Sequence, residues 1–338
     1  MSILSLISLT LATFLGAAVA TEVLRRMLEA RQIFDHPGAR TSHEVATPRG
    51  GGLAIYAVFM AAWAVVAAMT PGQPTEVGWI MACSLGLAIV SWADDLVGLP
   101  KMPRFLCQIA MASVGTYVLD SPVAVFQGHL SPTADALGTV FLWVGFINLF
   151  NFSDGIDGNA GTKATVLGIG IFLLSLAGVI PEPLGYLGIT VAAAASGFLV
   201  RNWHPARIFM GDIGSVTLGF VLAWLLLRTA GEGEWAPAII LPLIYVSDTG
   251  LTYLLKIVRR ERFWHSHRDH FYQRAVRVDG VSHAQVVKAV LLGDLILVAM
   301  ALFAAWGIIW PSLIGAGVTA VAVIAYLSSG LGNGTTLD

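Results

Sequence analysis

Charge is what this chain has least of. Asp, Glu, Lys and Arg together make up 12% of its 338 residues, about half the roughly 25% of an average soluble domain. So few charges cannot cover a water-facing surface, and an ordinary soluble domain is excluded. Cysteine is nearly absent too. The two present, Cys83 and Cys107, fall inside apolar runs, so there is neither a disulfide framework nor a zinc spacing. No Lys or Arg precedes the first apolar run, residues 3–20, as a secretion signal requires. Despite the small-residue stretch GAAVA at its end, that run is expected to be a first transmembrane helix. Fixed-period repeats, an inverted repeat and a separate soluble domain are also missing, so residues 1–338 are expected to form one integral-membrane unit with a flexible tail at 329–338.

What is abundant is apolar sequence. Hydrophobic residues are 56% of the chain, and mean hydropathy is +0.76. The fold class expected is an all-α polytopic membrane protein. Eleven stretches approach the roughly 20 apolar residues a span requires: 3–27, 51–69, 77–93, 104–120, 135–151, 163–180, 183–200, 213–230, 236–258, 285–309 and 311–328. The connections alternate. Those at 28–50, 94–103, 152–162, 201–212 and 259–284 are polar, and most of the others are short. Every one of the 19 lysines and arginines except Arg228 lies in or beside the polar set. Positive charge stays inside, which places these loops on the cytoplasmic face, the N-terminus outside and the C-terminus inside.

Five polar clusters fall on that face. WADDLVGL puts Asp94 and Asp95 at the end of the third span. A carboxylate there opposes the helix dipole, so neither is expected to cap a helix. Neighbouring helical positions diverge by about 100°, so the two can serve different partners, or simply end a helix in solvent. NLFNFSDGIDGNAG carries Asn148, Asn151, Asp154, Asp157 and Asn159. Its oxygen-only donors suit a hard cation such as Mg²⁺. Its glycines Gly155, Gly158 and Gly161 could let backbone N–H groups approach a phosphate. RIFMGDIGS places Asp212 and Ser215 at a helix start that attracts anions, although Asp212 could equally be an N-cap. Phe209 could stack on a base or be an interfacial aromatic. HSHRDHFYQR holds His265, His267, Arg268, His270, Tyr272, Gln273 and Arg274. With no cysteine beside it and Arg268 among its histidines, it fits phosphate binding better than zinc. DHPGARTSHEVATPRGGG, with Arg40, His43 and Arg49, reads as an anion-binding turn or a Gly/Pro connector. Carboxylates for a metal, Gly-rich turns and cations for phosphate on one membrane face together suit phosphoryl transfer to a lipid.

In this order, the motifs DDxxGL, NxxNFxDGxDGxAG, FMGDxGS and HRxHxYQR resemble the polyprenyl-phosphate N-acetylhexosamine-1-phosphate transferases, glycosyltransferase family 4. The resemblance covers about residues 5–325. It implies a multi-span enzyme of the bacterial inner membrane with a cytoplasmic active site, which moves a sugar-1-phosphate from a UDP-N-acetylhexosamine to undecaprenyl phosphate and releases UMP. By that resemblance Asp212 is the Mg²⁺ ligand (Mn²⁺ could substitute), assisted by Asn151, and Asp94 and Asp95 are the catalytic pair with Asp212. Arg49, Asn151, Asp154, Asp157 and Phe209 are expected to contact nucleotide or sugar. His267, Arg268, His270 and Arg274 are expected to grip the phosphates. A homodimer is possible within the family. Glu44 stands where the peptidoglycan translocase branch has a lysine before Thr-Pro, and HSHRDH replaces its histidine run. Both point instead to the branch that initiates O-antigen and common-antigen chains. A proton-coupled transporter is the alternative, because Asp248 in ILPLIYVSDTGL and Asp294 lie within apolar spans. A CDP-alcohol phosphotransferase fits poorly, since its aspartates form one compact run.

Overall fold

A computed structural model describes residues 1–36, 45–70, 74–119, 124–260, 269–278 and 280–329. Helix dominates because apolar runs in lipid must satisfy their own backbone groups. In chain order come α1 (Ile3–Ala30), β1 (Phe34–Asp35), β2 (Thr47–Pro48), α2 (Gly52–Met69), α3 (Pro74–Val97), α4 (Lys101–Val118) and α5 (Pro132–Phe152). They are followed by α6 (Asn159–Leu176), α7 (Glu182–Asn202), α8 (Gly211–Gly231), α9 (Trp235–Ile240), α10 (Leu243–Val258), α11 (Phe271–Ala275), α12 (His283–Ala305) and α13 (Ile309–Ser328). Local sequence starts several of them. Ser131 accepts from Ala134 N–H ahead of Pro132, and Ser282 forms a capping box with Gln285 at the head of α12. The only strands among the described residues are β1 and β2, paired antiparallel with Phe34 opposite Pro48 and Asp35 opposite Thr47.

Nine of these helices are long and apolar enough to cross a membrane. The two remaining expected spans differ from the simple pattern. The region 104–120 is a helix, α4, but Lys101, Arg104 and Gln108 dilute its first turns. The region 236–258 is split into α9 and α10 around Pro242, where a missing N–H and a fixed φ interrupt the helix. α7 and α13, flanked by prolines, are nonetheless full-length.

The bundle is organised around α8. Its apolar window is wholly buried, as its uniformly apolar circumference requires. It packs against α2, α3, α5, α6, α7 and α9. Apolar lipid offers little net drive for helices to associate, so close approach at small residues matters. A Cβ on Gly52 of α2 would lie 2.2 Å from Gly214 Cα of α8, and one on Gly168 of α6 would lie 2.4 Å from Gly188 O of α7. These close approaches hold α2 against α8 and α6 against α7.

Arg228, the one basic residue outside the polar set, is explained by its partners. It is buried near the far end of α8, with Nε 3.4 Å from Glu76 Oε1 and Nη2 3.0 Å from Glu232 Oε1. Trp224 Nε1 also donates to Glu76, at 3.1 Å. The charge is spent inside the bundle on two carboxylates. Removing one partner of a buried ion pair costs about 3–5 kcal/mol. Arg228→Met is therefore expected to lower the unfolding temperature in detergent, and Glu76→Gln added to it should restore part of the loss.

Candidate active site

The ends of α3, α5 and α7 and the starts of α2, α4, α6, α8 and α12 meet at the same face of the bundle. The site forms there from α8 outward. Asp95, at the end of α3, turns its carboxylate onto the first turn of α8. Oδ1 accepts from Asp212 N–H and Oδ2 from Ile213 N–H, both at 3.0 Å. This overturns the expectation that neither aspartate caps a helix. Asp95 opposes the dipole of its own helix but satisfies orphan donors, and the positive end, of another. The approach requires Gly211, whose φ is +76° and whose Cβ would stand 2.7 Å from Asp95 Oδ2.

Two arginines and Asn151 complete the cluster. Arg49 Nη2 lies 3.0 Å from Asp95 Oδ1 and 3.4 Å from Asp212 Oδ1. Arg104 Nη1 bridges Asp94 and Asp212 Oδ2, the latter at 2.8 Å. Asp94 also accepts from Leu99 N–H at 2.7 Å through Oδ1. Asn151 Nδ2 reaches Ser215 Oγ at 2.7 Å and Asp212 Oδ1 at 3.3 Å. The side chains of Asp95, Asp94 and Asp212 are 2%, 8% and 21% exposed, so Asp212 is the carboxylate most open to a ligand. Asp94, Asp95, Asp212 and Asp154 outnumber the two guanidinium groups. An excess of oxygen donors and negative charge around an accessible Asp212 fits a hard divalent cation. Asn151 would have to turn its amide to offer oxygen to such an ion.

The glycine-rich stretches have another use than phosphate binding. Gly50 and Gly51 donate their N–H groups to Phe209 O, at 3.2 and 2.8 Å, and Gly52 donates to Met210 O at 2.8 Å. Phe209 N–H returns a bond to Pro48 O, and Arg49 and Phe209 form a parallel bridge. The expected anion-binding turn is therefore a backbone seam fastening α2 to the FMGD segment, with its donors consumed. In the loop between α5 and α6, Gly158 (φ +76°) donates to Asn202 Oδ1 at 3.0 Å. Gly161 packs on Leu199. Asn159 Nδ2 ties the turn to Ser153 O at 2.8 Å. Asn148 turns away to Gln108.

The two aspartates of that loop have different surroundings. Asp154 is half-buried, and its carboxyl is pushed well above the ordinary range, first by burial and further by Asp212, Asp95 and Asp157, with Arg49 opposing. Asp157 Oδ2 meets His204 Nδ1 at 2.7 Å, Ala206 N–H at 3.1 Å and His283 Nδ1 at 3.3 Å. Burial raises its carboxyl, but the bonds from His283, His204 and Ala206 outweigh burial and hold it below the ordinary range. Asp157, His204 and His283 offer ligand atoms within 4.8 Å of one another. Asp157 N–H also lies 3.2 Å from His283 Nδ1, so the trio braces the loop as it stands.

Of the expected phosphate-gripping residues, His267 and Arg268 lie outside the described residues. Arg274 is half-buried in α11. His270 is buried at the N-cap of α11, its ring against Phe152, Tyr253 and Tyr272 and its Nδ1 3.8 Å from Asp248 Oδ1. Sequence reasoning missed Arg104, Asn202, His204 and His283. Arg104 did carry a signal, since a cation in the first turn of a helix opposes the dipole and calls for another reason to be there. The histidines gave none, because they meet Asp157 and each other from distant segments.

These features define a multi-pass membrane protein with a carboxylate and arginine site at one end of its bundle. The model of glycosyl transferase family 4 matches residues 77–230. The chain is 32% identical over 326 residues to the decaprenyl-phosphate N-acetylglucosaminephosphotransferase of Mycobacterium leprae, covering 86% of this chain and 80% of that one. It is 28% identical over 311 residues to a probable undecaprenyl-phosphate N-acetylglucosaminyl 1-phosphate transferase of Bacillus subtilis, covering 89% and 85%. It is also similar, at 33% over 251 residues, to the phospho-N-acetylmuramoyl-pentapeptide-transferase of a Synechococcus strain, covering 67% and 69%. The chain belongs to glycosyl transferase family 4.

The depressed Asp157 stabilises the fold fully above the unfolded value of about 3.9. That contribution is lost as pH falls through the lower folded value. His204→Phe removes one donor, so the acid-unfolding midpoint, followed by circular dichroism in detergent, is expected to move to higher pH.

Proposed function

We propose that the protein transfers an N-acetylhexosamine-1-phosphate from a UDP-sugar to undecaprenyl phosphate and releases UMP, at the cytoplasmic face of the bacterial inner membrane, to start an O-antigen-like surface glycan. The donor sugar is of the GlcNAc, FucNAc or QuiNAc type. The observation that carries this reading is the meeting of Asp94, Asp95 and Asp212 with Arg49 and Arg104 at one end of a membrane bundle. It is supported by family membership and by the activities of the relatives.

Asp212, with Asn151 turned to offer its oxygen, would hold Mg²⁺ or Mn²⁺. The ion would supply charge neutralisation on the diphosphate. Arg49 and Arg104 are placed to hold phosphate oxygens as charge builds on the leaving UMP. An oxygen of the lipid phosphate attacks the phosphorus that bears the sugar. The bond from that phosphorus to the bridging oxygen breaks, and UMP departs with the bridging oxygen. Both Asp95 oxygens cap α8, whereas one Asp94 oxygen is held by Arg104, a side chain that would turn to phosphate, so Asp94 is the member of the pair that takes the proton when the lipid phosphate arrives as a monoanion. Direct attack is favoured over an aspartyl intermediate, because both members of the pair are shielded and bonded. Asp154 and Asp157 face the nucleotide-sugar, with Phe209 beside the base. His267, Arg268 and Arg274 grip phosphate, while His270 is buried at the head of α11. The transporter alternative has no support from the relatives, and Asp248 has a structural occupation described below.

The reaction is tested by UMP release from purified protein given undecaprenyl phosphate, Mg²⁺ and, in turn, UDP-GlcNAc, UDP-N-acetylfucosamine, UDP-N-acetylquinovosamine or UDP-MurNAc-pentapeptide. Lipid-dependent release with an aminosugar donor is expected, and release only with the pentapeptide donor would overturn the O-antigen assignment. Asp212→Asn is expected to reduce turnover by about 10²-fold or more in folded protein. A chelator should stop the reaction, and Mg²⁺ or Mn²⁺ should restore it.

A further inference from the structure

Three charged groups within the bundle have no part in the reaction drawn above. Lys163, four residues into α6, is buried. Its ammonium lies over the Tyr245 ring at 4.8 Å and the Tyr272 ring at 5.8 Å. It interacts electrostatically with both Asp248 of α10 and Asp294 of α12. Both carboxylates are buried. Asp294 stands about 16 Å along α12 from its start at 1.5 Å per residue, deep in apolar surroundings. Such groups are costly in a membrane unless they pair or serve a purpose.

The purpose is visible at Asp248. Its Oδ1 accepts from Phe271 N–H at 3.0 Å and its Oδ2 from Tyr272 N–H at 3.2 Å. These are the first N–H groups of α11, a helix too short to hold itself together in isolation. Lys256 of α10 secures the residue before the cap through Asp269, at 2.5 Å. From α11 the line continues into the site. Tyr272 Oη donates to Phe152 O, and Gly155 lies so close beneath that a Cβ would be 2.2 Å from Gln273 Nε2 and 2.5 Å from Tyr272 Oη. Gly155 directly follows Asp154. The geometry points to Lys163 as a positioning residue: buried with its ammonium over the rings of Tyr245 in α10 and Tyr272 in α11, it supplies the positive charge that accompanies Asp248 at the head of α11, and through α11 it fixes the Asp154–Gly155 turn against the site.

The kinetic consequence rests on the transferase reading, but the structural consequence does not. Two readouts on the full-length protein in detergent separate them. In K163M, amide hydrogen exchange is expected to speed tenfold or more at residues 270–276 and 152–158, with α8 unchanged. In the same variant KM for the UDP-sugar should rise about tenfold. Asp248→Asn keeps one acceptor oxygen without the buried charge, so K163M/D248N should be no worse than K163M alone by either measure. Unchanged exchange at 270–276 in K163M, or losses that multiply in the double variant, would overturn the inference. If K163M does not fold, D248N carries the test: its exchange at 270–276 must rise and at α8 must not, and protection equal to wild type would overturn the inference. Wild-type protein that releases no UMP would remove the transferase reading while leaving the exchange result to decide the anchor.

Discussion

The arrangement of the site depends on one hydrogen-bonded contact, the Asp95 carboxylate seated on the first turn of α8. A helix starting inside a membrane protein has N–H groups that no water reaches, and leaving them unpaired is expensive. Asp95 satisfies two of them from another helix. The same bond brings α3 to α8, places Asp94 beside Asp212 through Arg104, and aligns Arg49 between two carboxylates. The charges gather because a helix terminus requires one of them, and the others neutralise what that one brings.

The same solution recurs on the other side of the site. Asp248 seats α11 as Asp95 seats α8, each carboxylate sharing its two oxygens between consecutive N–H groups of a distant helix. In both places the carboxylate is accompanied by a cation, Arg49 near the surface and Lys163 within the bundle. Asp157 differs in kind. Two histidines and a backbone donor surround one of its oxygens, which fixes the direction of the carboxylate.

Much of this was legible in the sequence. Apolar length gave nine of the helices, and the polar loops that loop charge sorted together do meet, where described, at one end of the bundle. The residues brought together at α8, Asp94, Asp95, Asn151 and Asp212, were all singled out by their chemistry. What could not be read was who serves whom. DD at a helix end shows two carboxylates but not that one belongs to a helix more than a hundred residues away. GGG before α2 suggests free donors, while the fold spends them on Phe209 and Met210. Lys163 looks like the first residue past a polar loop, and only the packing of α12 against α6 and of the Tyr245 and Tyr272 rings on its ammonium reveals that it is an interior charge. The break at Pro242 is local and was present in the sequence, but hydropathy averages over it.

The burial of α8 has a consequence for the membrane around the protein. A helix with no lipid-facing surface does not adjust its tilt to the hydrocarbon thickness, which acts on exposed helices. The site hangs from the head of that shielded post, with α3, α5 and α2 fastened to it by a carboxylate, an amide and a backbone seam. Outer helices such as α1 and α13, largely exposed along their length, can lean to match a thinner or thicker bilayer while the distances among Asp95, Asp212 and Arg49 hold. The geometry of the carboxylate and arginine cluster is thereby set by packing inside the protein, not by the thickness of the bilayer around it.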